Sequence, residues 1–481
     1  MKKRKTSREL LREKKSSRNK KIRNILIVTF IVLYCLSFLW GLYKPIPEGV
    51  SIESDMYYIS DSDITFLADI THKNTTTQEI YASVFDIIDS ANEYIILDMF
   101  LFGNSNESKY IPLTTQLTDS LINKKKSDPS IPIYFVTDHF NTFYGSYKTP
   151  EITQLEENNI TVIFTNMNVM RDSNALYSAL WRLVAQPFGM PSFEGGFIPN
   201  PLGEDSVTLR SALALVNFKA NHRKLILNEN EVLITSANPH TASSLHSNVA
   251  ISVRNKEILS DIIAGEQAIA NFSDASIVVP TKQSVVPQEV LNNTIGIKYI
   301  TEGKIKDSVV AEIKSATAKD TIKIGMFYFS ERSIISELKK AAKRGVSIEL
   351  ILDANKDAFG REKNGIPNRP VAYELEQFGA KILWYDTHGE QFHTKIFIKE
   401  NDEYTVVILG SANYTKRNIG DYNFEANIYV ISPSQSTFAN DVRSYWDVIS
   451  EYTLAYEEFE DTSFIKYLVY RFQEKTGLST F

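Results

Sequence analysis

The chain of 481 residues is long enough for two or three domains, and its 43% apolar and 23% charged residues are typical of a folded body. Its single cysteine, Cys35, excludes an intramolecular disulfide framework and a cysteine-based zinc site. The net charge of −6 is unevenly distributed, because residues 1–23 carry +10 and the remainder carries −16. Such an acidic body is a poor electrostatic partner for nucleic acid, and we expect no nucleic acid to bind.

The first predicted element is a membrane span. Residues 25–43 are nineteen consecutive uncharged residues. A helix of this length is nearly long enough to cross a hydrocarbon core of ~30 Å. The stretch is longer than the apolar part of a secretory signal, and no small-residue cleavage site follows it, which favours an uncleaved signal anchor. The positive-inside rule places the basic tail, residues 1–24, in the cytoplasm. We therefore expect a single-pass protein of the cell membrane whose body is extracytoplasmic.

The body contains an internal repeat in the order strand, helix, strand, helix, strand. The first copy includes YIILDMFLF (94–102) and IPIYFVTD (131–138), and the second includes TIKIGMFYF (321–329) and SIELILDA (347–354). These strands are apolar on both faces, which is typical of a sheet covered by helices on both sides. We predict two tandem α/β units with mixed sheets, at 60–271 and 301–450. A linker at 272–300 joins them, and a C-terminal helical extension follows at 451–481.

The first unit carries an insertion, 167–220, that the second unit lacks. Such a segment is either a lid or substrate channel, or an extra pair of packed helices. Its apolar residues are candidates for an acyl-chain contact at a membrane surface: Trp181, Leu183, Phe188, Phe193 and Phe197.

Each unit contains a His-x-Lys pair at the beginning of a predicted strand. Side chains at i and i+2 of a strand project from one face, so an imidazole nucleophile and a phosphate-binding ammonium lie together. A second pair supplies an acid for the leaving oxygen. Each pair is followed by a returning strand that ends in TSAN or GSAN, where small residues and an amide suit a phosphate. The candidate catalytic residues are His222, Lys224, His393 and Lys395, and the candidate substrate-binding residues are Ser236, Asn238, Ser411 and Asn413.

These motifs resemble those of the phospholipase D (HKD) superfamily, H-x-K-x4-D-x6-G-[SG]-x-N twice, over about residues 60–450. The layout is most similar to that of membrane-associated bacterial members, which include cardiolipin synthases. The resemblance implies two pseudo-twofold-related halves, one site at their seam, and phosphohistidine chemistry without a metal or cofactor. Glu229 and Glu400 stand where the family has Asp, the turns differ in length, and Thr235 replaces the first glycine.

The resemblance also suggests which histidine is the nucleophile. Aligning Asn248 with Asn423 places Ala250 opposite Glu425, so that only the second half offers a carboxylate there. By the resemblance, Glu425 orients His222 and stabilises it as nucleophile, while His393 acts as acid and then as base. The alternative is that Glu425 pairs with Lys416 or Arg417 at the rim of the site.

Three other histidines, His139, His240 and His246, are interpreted as loop or cap residues rather than ligands. No His/Asp/Glu cluster has metal-ligand spacing along the sequence. The prediction is a membrane-anchored phosphodiesterase that cleaves or exchanges phospholipid head groups. The alternatives are a cardiolipin synthase-type phosphatidyltransferase, a nuclease, and a non-catalytic membrane scaffold. The head group, the acceptor and the oligomeric state stay open.

Overall fold

A long N-terminal helix precedes the body in the computed structural model, which describes residues 6–105, 108–200, 205–280, 295–358 and 361–478. Helix α1 (Ser7–Tyr43) begins in a capping box, in which Thr6 Oγ1 accepts from Glu9 N and the Glu9 carboxylate accepts from Thr6 N. Within these ranges, α1 is the one helix long and apolar enough to cross a membrane, with a mean hydropathy of 2.5 over its best 18 residues. The basic segment from Ser7 onward belongs to the same helix.

The body has two units of similar order. Strand β1 is Tyr57–Ile59. The first unit has strands β2 (Ile64–His72), β3 (Thr75–Thr77), β4 (Ile95–Met99), β5 (Ile133–Thr137), β6 (Thr161–Phe164), β7 (Lys224–Leu227), β8 (Val232–Thr235) and β9 (Asn248–Val253). Its helices are α2 (Ile80–Ser90), α3 (Leu113–Ser127), α4 (Pro150–Glu157), α5 (Ala175–Val184), α6 (Leu209–Val216) and α7 (Lys256–Phe272).

The second unit has strands β10 (Ile295–Thr301), β11 (Thr321–Met326), β12 (Ser347–Leu352), β13 (Asp357–Ala358), β14 (Arg361–Glu362), β15 (Lys381–Tyr385), β16 (Lys395–Glu400), β17 (Tyr404–Gly410), β18 (Ala426–Pro433) and β19 (Thr453–Ala455). Its helices are α8 (Gly303–Ser315), α9 (Arg332–Lys343), α10 (Asn368–Glu376), α11 (Lys416–Ile419), α12 (Thr437–Glu451) and α13 (Phe464–Thr476).

The two units share one sheet topology. The strand order is β2-β9-β8-β7-β4-β5-β6 in the first unit and β10-β18-β17-β16-β11-β12-β15 in the second. In both, the last three strands are parallel to one another and the preceding strands pair antiparallel. The fold predicted from the repeat, two tandem α/β units with mixed sheets, is confirmed.

Three short edge segments depart from the predicted boundaries. Strand β10 occupies 295–301, so the end of the predicted linker 272–300 lies in the second sheet, while 281–294 lies outside the described residues. Strand β1 pairs with β10, which brings residues before position 60 into the second unit's sheet. Strand β19 pairs with β15, so the extension 451–481 is not wholly helical. Each was missed because a strand of three to seven residues at or next to a sheet edge carries little periodicity.

The seam between the units is apolar and continuous with the core. One hydrophobic cluster joins Val249 and Ile251 of β9 to Leu409 of β17 and Ile428 of β18. Two backbone bridges cross the seam, with His222 N donating to Phe424 O at 2.9 Å and Ser247 N donating to Gln391 O at 3.0 Å. The segments that enter β7 and β16 are therefore each fixed by the opposite unit.

Candidate active site

The two His-x-Lys pairs lie at the seam, each at the beginning of a central strand. His222 and Lys224 enter β7, and His393 and Lys395 enter β16. The arrangement repeats closely: Lys224 Nζ donates to His222 O at 2.8 Å, and Lys395 Nζ donates to His393 O at 2.8 Å. All four side chains are buried. The strands are apolar elsewhere, so folding brings these four polar groups to one place.

Each imidazole is oriented by a residue of the opposite unit. His222 Nδ1 donates to Glu425 Oε2 at 3.0 Å, and His393 Nδ1 donates to Asn248 Oδ1 at 2.9 Å. These contacts leave the Nε2 atom of each ring as the one for attack or proton transfer. The predicted contact between Glu425 and His222 is present, and the two sides of the site differ by one charge.

The alignment that left His393 without a partner is wrong by two residues. Ser411 Oγ donates to Glu425 Oε2 in one unit, and Ser236 Oγ donates to Asn248 Oδ1 at 3.0 Å in the other. Asn248, not Ala250, is therefore the counterpart of Glu425. The misalignment arises because nine residues separate Asn238 from Asn248, whereas eleven separate Asn413 from Glu425. The longer loop contains the extra helix α11.

Glu425 is held by a shell of donors rather than by cations at the rim. Its carboxylate accepts from Ser411 Oγ, Asn418 Nδ2 and the His222 ring, and its backbone N donates to Glu302 Oε1 at 3.0 Å. The alternative pairing with Lys416 or Arg417 is therefore not the one the structure shows.

The asparagines of TSAN and GSAN lie in equivalent positions beyond β8 and β17. Asn238 and Asn413 are each 5% exposed, and within the described part of the chain the Oδ1 atom of each has no hydrogen-bond partner. A buried amide oxygen without a hydrogen-bond partner is unfavourable unless a water or a ligand donates a hydrogen bond to it. The structure thus leaves one polar group on each side of the site to be satisfied from outside the chain.

Two phenylalanines that sequence reasoning missed line the site. The Phe100 ring lies 4.9 Å from His222 and 5.1 Å from Lys224 Nζ, and the Phe327 ring lies 5.0 Å from His393 and 5.5 Å from Lys395 Nζ. They occupy the same place in the repeated strands DMFLF and GMFYF, so the repeat contained the signal. Both rings shield the histidines from water and attract the neighbouring ammonium groups.

A buried ion network under the first pair was also missed. Arg223, the residue between His222 and Lys224, donates to Glu266 Oε1 at 2.9 Å and to Glu302 Oε1 at 2.8 Å. Glu302 also accepts from the backbone of Glu425. The second motif has Thr394 here, which contacts the Tyr445 hydroxyl at 2.9 Å instead. The network ties the position of Glu425 to the strand that bears His222.

Burial sets the charge state of the free site. It lowers the pKa of His222 to about 4, an effect that the Glu425 carboxylate opposes. Burial, with the Lys395 ammonium, holds the pKa of His393 well below its usual value. Burial also lowers the pKa of Lys224 to about 7 and that of Lys395 well below its usual value. An anion such as a phosphate diester favours the charged lysines and offsets this desolvation.

The remaining candidates make other contacts, and one of them lies near the catalytic histidines. Glu229 accepts from the backbone of Asn92 at 3.0 Å, and Glu400 pairs with Lys323 at 2.6 Å, so both acids support loops or strand ends. His139 stacks on a phenylalanine, and His240 precedes a short helical turn, as expected of loop and cap residues. His246 lies closer to the site than expected, since its ring is 5.9 Å from that of His393.

The second unit and the overall fold are both similar to those of known proteins. Residues 309–447 match the model of a family described as cardiolipin synthase, phospholipase D-like domain. The structure is similar to that of phosphatidylserine synthase from Haemophilus influenzae, with 11% identity, 88% of this chain and 96% of that one covered, and a TM-score of 0.59. No curated protein sequence matches the chain.

Two further solved structures align with TM-scores below 0.5. One is the phospholipase D family member Nuc from Salmonella typhimurium, with 21% identity, 34% of this chain and 97% of that one covered, and a TM-score of 0.28. The other is polyphosphate kinase from Porphyromonas gingivalis, with 11% identity, 86% of this chain and 53% of that one covered, and a TM-score of 0.43. The matched domain and the fold agree with the resemblance expected from the motifs. Residues 309–447 thus match a phospholipase D-like domain, and the body has a fold similar to that of a solved phosphatidylserine synthase.

Proposed function

We propose that the protein is a membrane-anchored enzyme that cleaves or exchanges phospholipid head groups through a phosphohistidine. The observation that carries the proposal is the pair of His-x-Lys motifs at one seam, with each ring oriented from the opposite half. Two lysine ammonium groups and two oriented imidazoles, each beside a phenylalanine ring, suit one anionic phosphate diester.

In the first step, His222 Nε2 attacks phosphorus while the bond from phosphorus to the head-group oxygen breaks. The leaving oxygen takes a proton from His393 Nε2, which is protonated in the complex because the bound phosphate is anionic. Lys224 and Lys395 bind the non-bridging oxygens. Phosphorylated His222 carries positive charge on its ring, and Glu425 stabilises that charge through Nδ1. Asn248, a neutral acceptor, orients His393 without adding charge.

In the second step, His393, now neutral, takes a proton from a hydroxyl that attacks phosphorus, and the P–N bond to His222 breaks. Water as acceptor gives phosphatidic acid. A glycerol hydroxyl of a second phospholipid gives a larger diester of the cardiolipin kind. The family matched by residues 309–447, described as cardiolipin synthase, favours a lipid acceptor.

A leaving-group experiment assigns the two histidines. A bis-ester with p-nitrophenol as leaving group needs no acid, so the His393→Ala variant should release about one equivalent rapidly and then turn over slowly. The His222→Ala variant should show no burst, and Lys224→Ala and Lys395→Ala should lose phosphate binding. A burst from His222→Ala with none from His393→Ala would reverse the roles.

A product experiment separates the acceptors. Full-length protein in detergent is supplied with labelled phosphatidylglycerol, with and without an added alcohol, and the lipids are separated. Phosphatidic acid alone indicates hydrolysis, and a labelled larger lipid indicates transfer to phosphatidylglycerol. Failure of wild-type and His222→Ala proteins to differ on any lipid would contradict the proposal and favour the scaffold alternative. Cleavage of DNA alone would favour a nuclease.

We further place part of the body against the bilayer. Helix α5 packs along α1, with Tyr34 Oη donating to Leu176 O at 2.9 Å and Ser37 Oγ donating to Ala179 O at 3.1 Å. Because residues 34 and 37 lie in the uncharged span, α5 reaches acyl-chain depth when α1 crosses a membrane. The insertion exposes apolar side chains there: Leu176, Leu180, Val184, Phe188, Phe197, Leu209, Leu213 and Val216.

The insertion is a helix pair whose candidate lid residues divide into two sets. Trp181 is buried and stacks on Tyr177, so it packs the helix instead of meeting lipid. Phe188 and Phe197 are 77% and 82% exposed, so both remain candidates for contact with acyl chains. Helix α13 also exposes apolar side chains, and Gly477, which follows its last residue, lies beside Ser173 just before α5. Its exposed apolar residues are Phe464, Ile465, Leu468, Val469 and Phe472.

A further inference from the structure

Two histidines and an aspartate from distant parts of the chain meet outside the active site. His72 ends β2 of the first unit, while Asp386 and His388 lie in the loop after β15 of the second. His72 Nε2 lies 3.2 Å from Asp386 Oδ2, and His388 Nε2 lies 3.0 Å from the same oxygen. One nitrogen or oxygen from each residue lies within 4.8 Å of the other two. The sequence showed no metal-ligand spacing because 314 residues separate His72 from Asp386.

The donor set and its dimensions suit a divalent transition-metal ion. Zinc binds imidazole nitrogen and carboxylate oxygen at about 2.0–2.2 Å, so ligand atoms around it lie about 3.3 Å apart. The two separations at Asp386 Oδ2 are already close to that value. His388 is 41% exposed, which leaves an entry path for the ion and room for a water ligand. Lys73, 3.9 Å from Asp386 Oδ2, is 60% exposed and free to turn toward solvent.

Outer contacts fix the ligands in place, as is usual at metal sites. Tyr452 stacks on the His72 ring with centroids 4.3 Å apart, and its backbone oxygen accepts from Asp386 N at 2.9 Å. Glu390 accepts from His388 N at 3.0 Å. Because these contacts hold both the strand end and the loop, the ligands need little rearrangement to receive an ion.

We propose that His72, Asp386 and His388 form a structural binding site for one divalent transition-metal ion, with Zn²⁺ as the probe. The site ties β2 of the first unit to the loop that leads into His393 of the second. The same loop is joined to the first unit by the backbone bridge from Ser247 to Gln391. Binding therefore stabilises the relative position of the two units and leaves the phosphodiester chemistry to the histidines and lysines.

The test uses untagged full-length protein in detergent, stripped of metal by a chelator and then titrated with Zn²⁺. We expect about one tightly bound ion per chain and a higher unfolding temperature. Asp386→Asn and His388→Ala should each weaken binding by about 100-fold and abolish the thermal shift. Lys73→Ala, the matched control, should bind at least as tightly as wild type, because it removes a neighbouring positive charge. Co²⁺ provides an absorption band that reports the coordination directly.

Three results would overturn the proposal. The first is wild-type protein that binds no Zn²⁺ at micromolar concentration. The second is retention of the bound ion and the thermal shift in both folded ligand variants. The third is loss of p-nitrophenol release by wild-type protein on chelation at a temperature where the protein stays folded, since that would place the ion in catalysis. Absence of activity in all proteins, by contrast, would contradict the proposed function and leave the binding result unaffected.

Discussion

Glu425 and Asn248 stand just before or at the beginning of equivalent strands, β18 and β9, and each accepts a hydrogen bond from the histidine of the other unit. Both residues fix the tautomer of the ring, but only Glu425 stabilises positive charge on it. The serines beneath them, Ser411 and Ser236, are the same. The division of labour between two otherwise similar histidines thus depends on one carboxylate.

The pH dependence of activity follows from the buried charges. His222 is neutral and able to attack above a pKa of about 4, whereas Lys224 loses its proton as the pH rises through about 7. The free enzyme therefore binds a phosphate anion best below pH 7, and kcat/KM on a soluble diester should fall above it. A pH profile of wild-type protein checks this. A value of kcat/KM that stays constant from pH 6 to 9 would contradict the prediction.

At the level of residues, the motif made both His-x-Lys pairs visible, because i and i+2 on a strand suffice to place them on one face. The contact between Glu425 and His222 was also predictable by resemblance. Asn248 was not, because the loops before β9 and β18 differ by two residues and a register error of two keeps the same face. Phe100 and Phe327 were read only as strand residues.

Among the elements, the central strands were predictable and the edges were not. The repeated strands are apolar on both faces, so sequence and fold agree there. β1, β10 and β19 are stabilised by pairing with strands far along the chain, which no local pattern reports. The sequence showed that the first unit has an insertion that the second lacks. It did not show that the insertion packs on α1, because that contact joins residues 142 positions apart.

The exposed apolar residues of the insertion provide a test at this scale. Phe188→Ser with Phe197→Ser removes two side chains that we place in lipid, so activity on bilayers should fall about tenfold or more. Activity on a short-chain soluble diester should change little. Trp181→Ser is the contrasting variant, because it creates a cavity and should lower the unfolding temperature and both activities. Equal losses on both substrates in the double variant would indicate a packing role.

For the whole molecule, the expected orientation is a cytoplasmic tail and an extracytoplasmic body. The reason is the +10 charge of residues 1–23, which the positive-inside rule keeps in the cytoplasm. Protease added to intact cells or right-side-out spheroplasts should digest the body. An antibody to the tail should still detect a protected fragment. Protection of the body until the cells are lysed would contradict this orientation.

The exchange of partners across the seam also governs how the sequence can change. A substitution at position 425 alters the environment of His222, which lies in the other unit. It does not directly alter the environment of His393, which lies in the same unit as position 425. Position 248 affects His393 in the same crossed way. Covariation among relatives should therefore link each histidine loop to the distant half of the chain more strongly than to its own. A hybrid made by joining halves of two divergent relatives inherits mismatched pairs at both histidines, even when each half folds well.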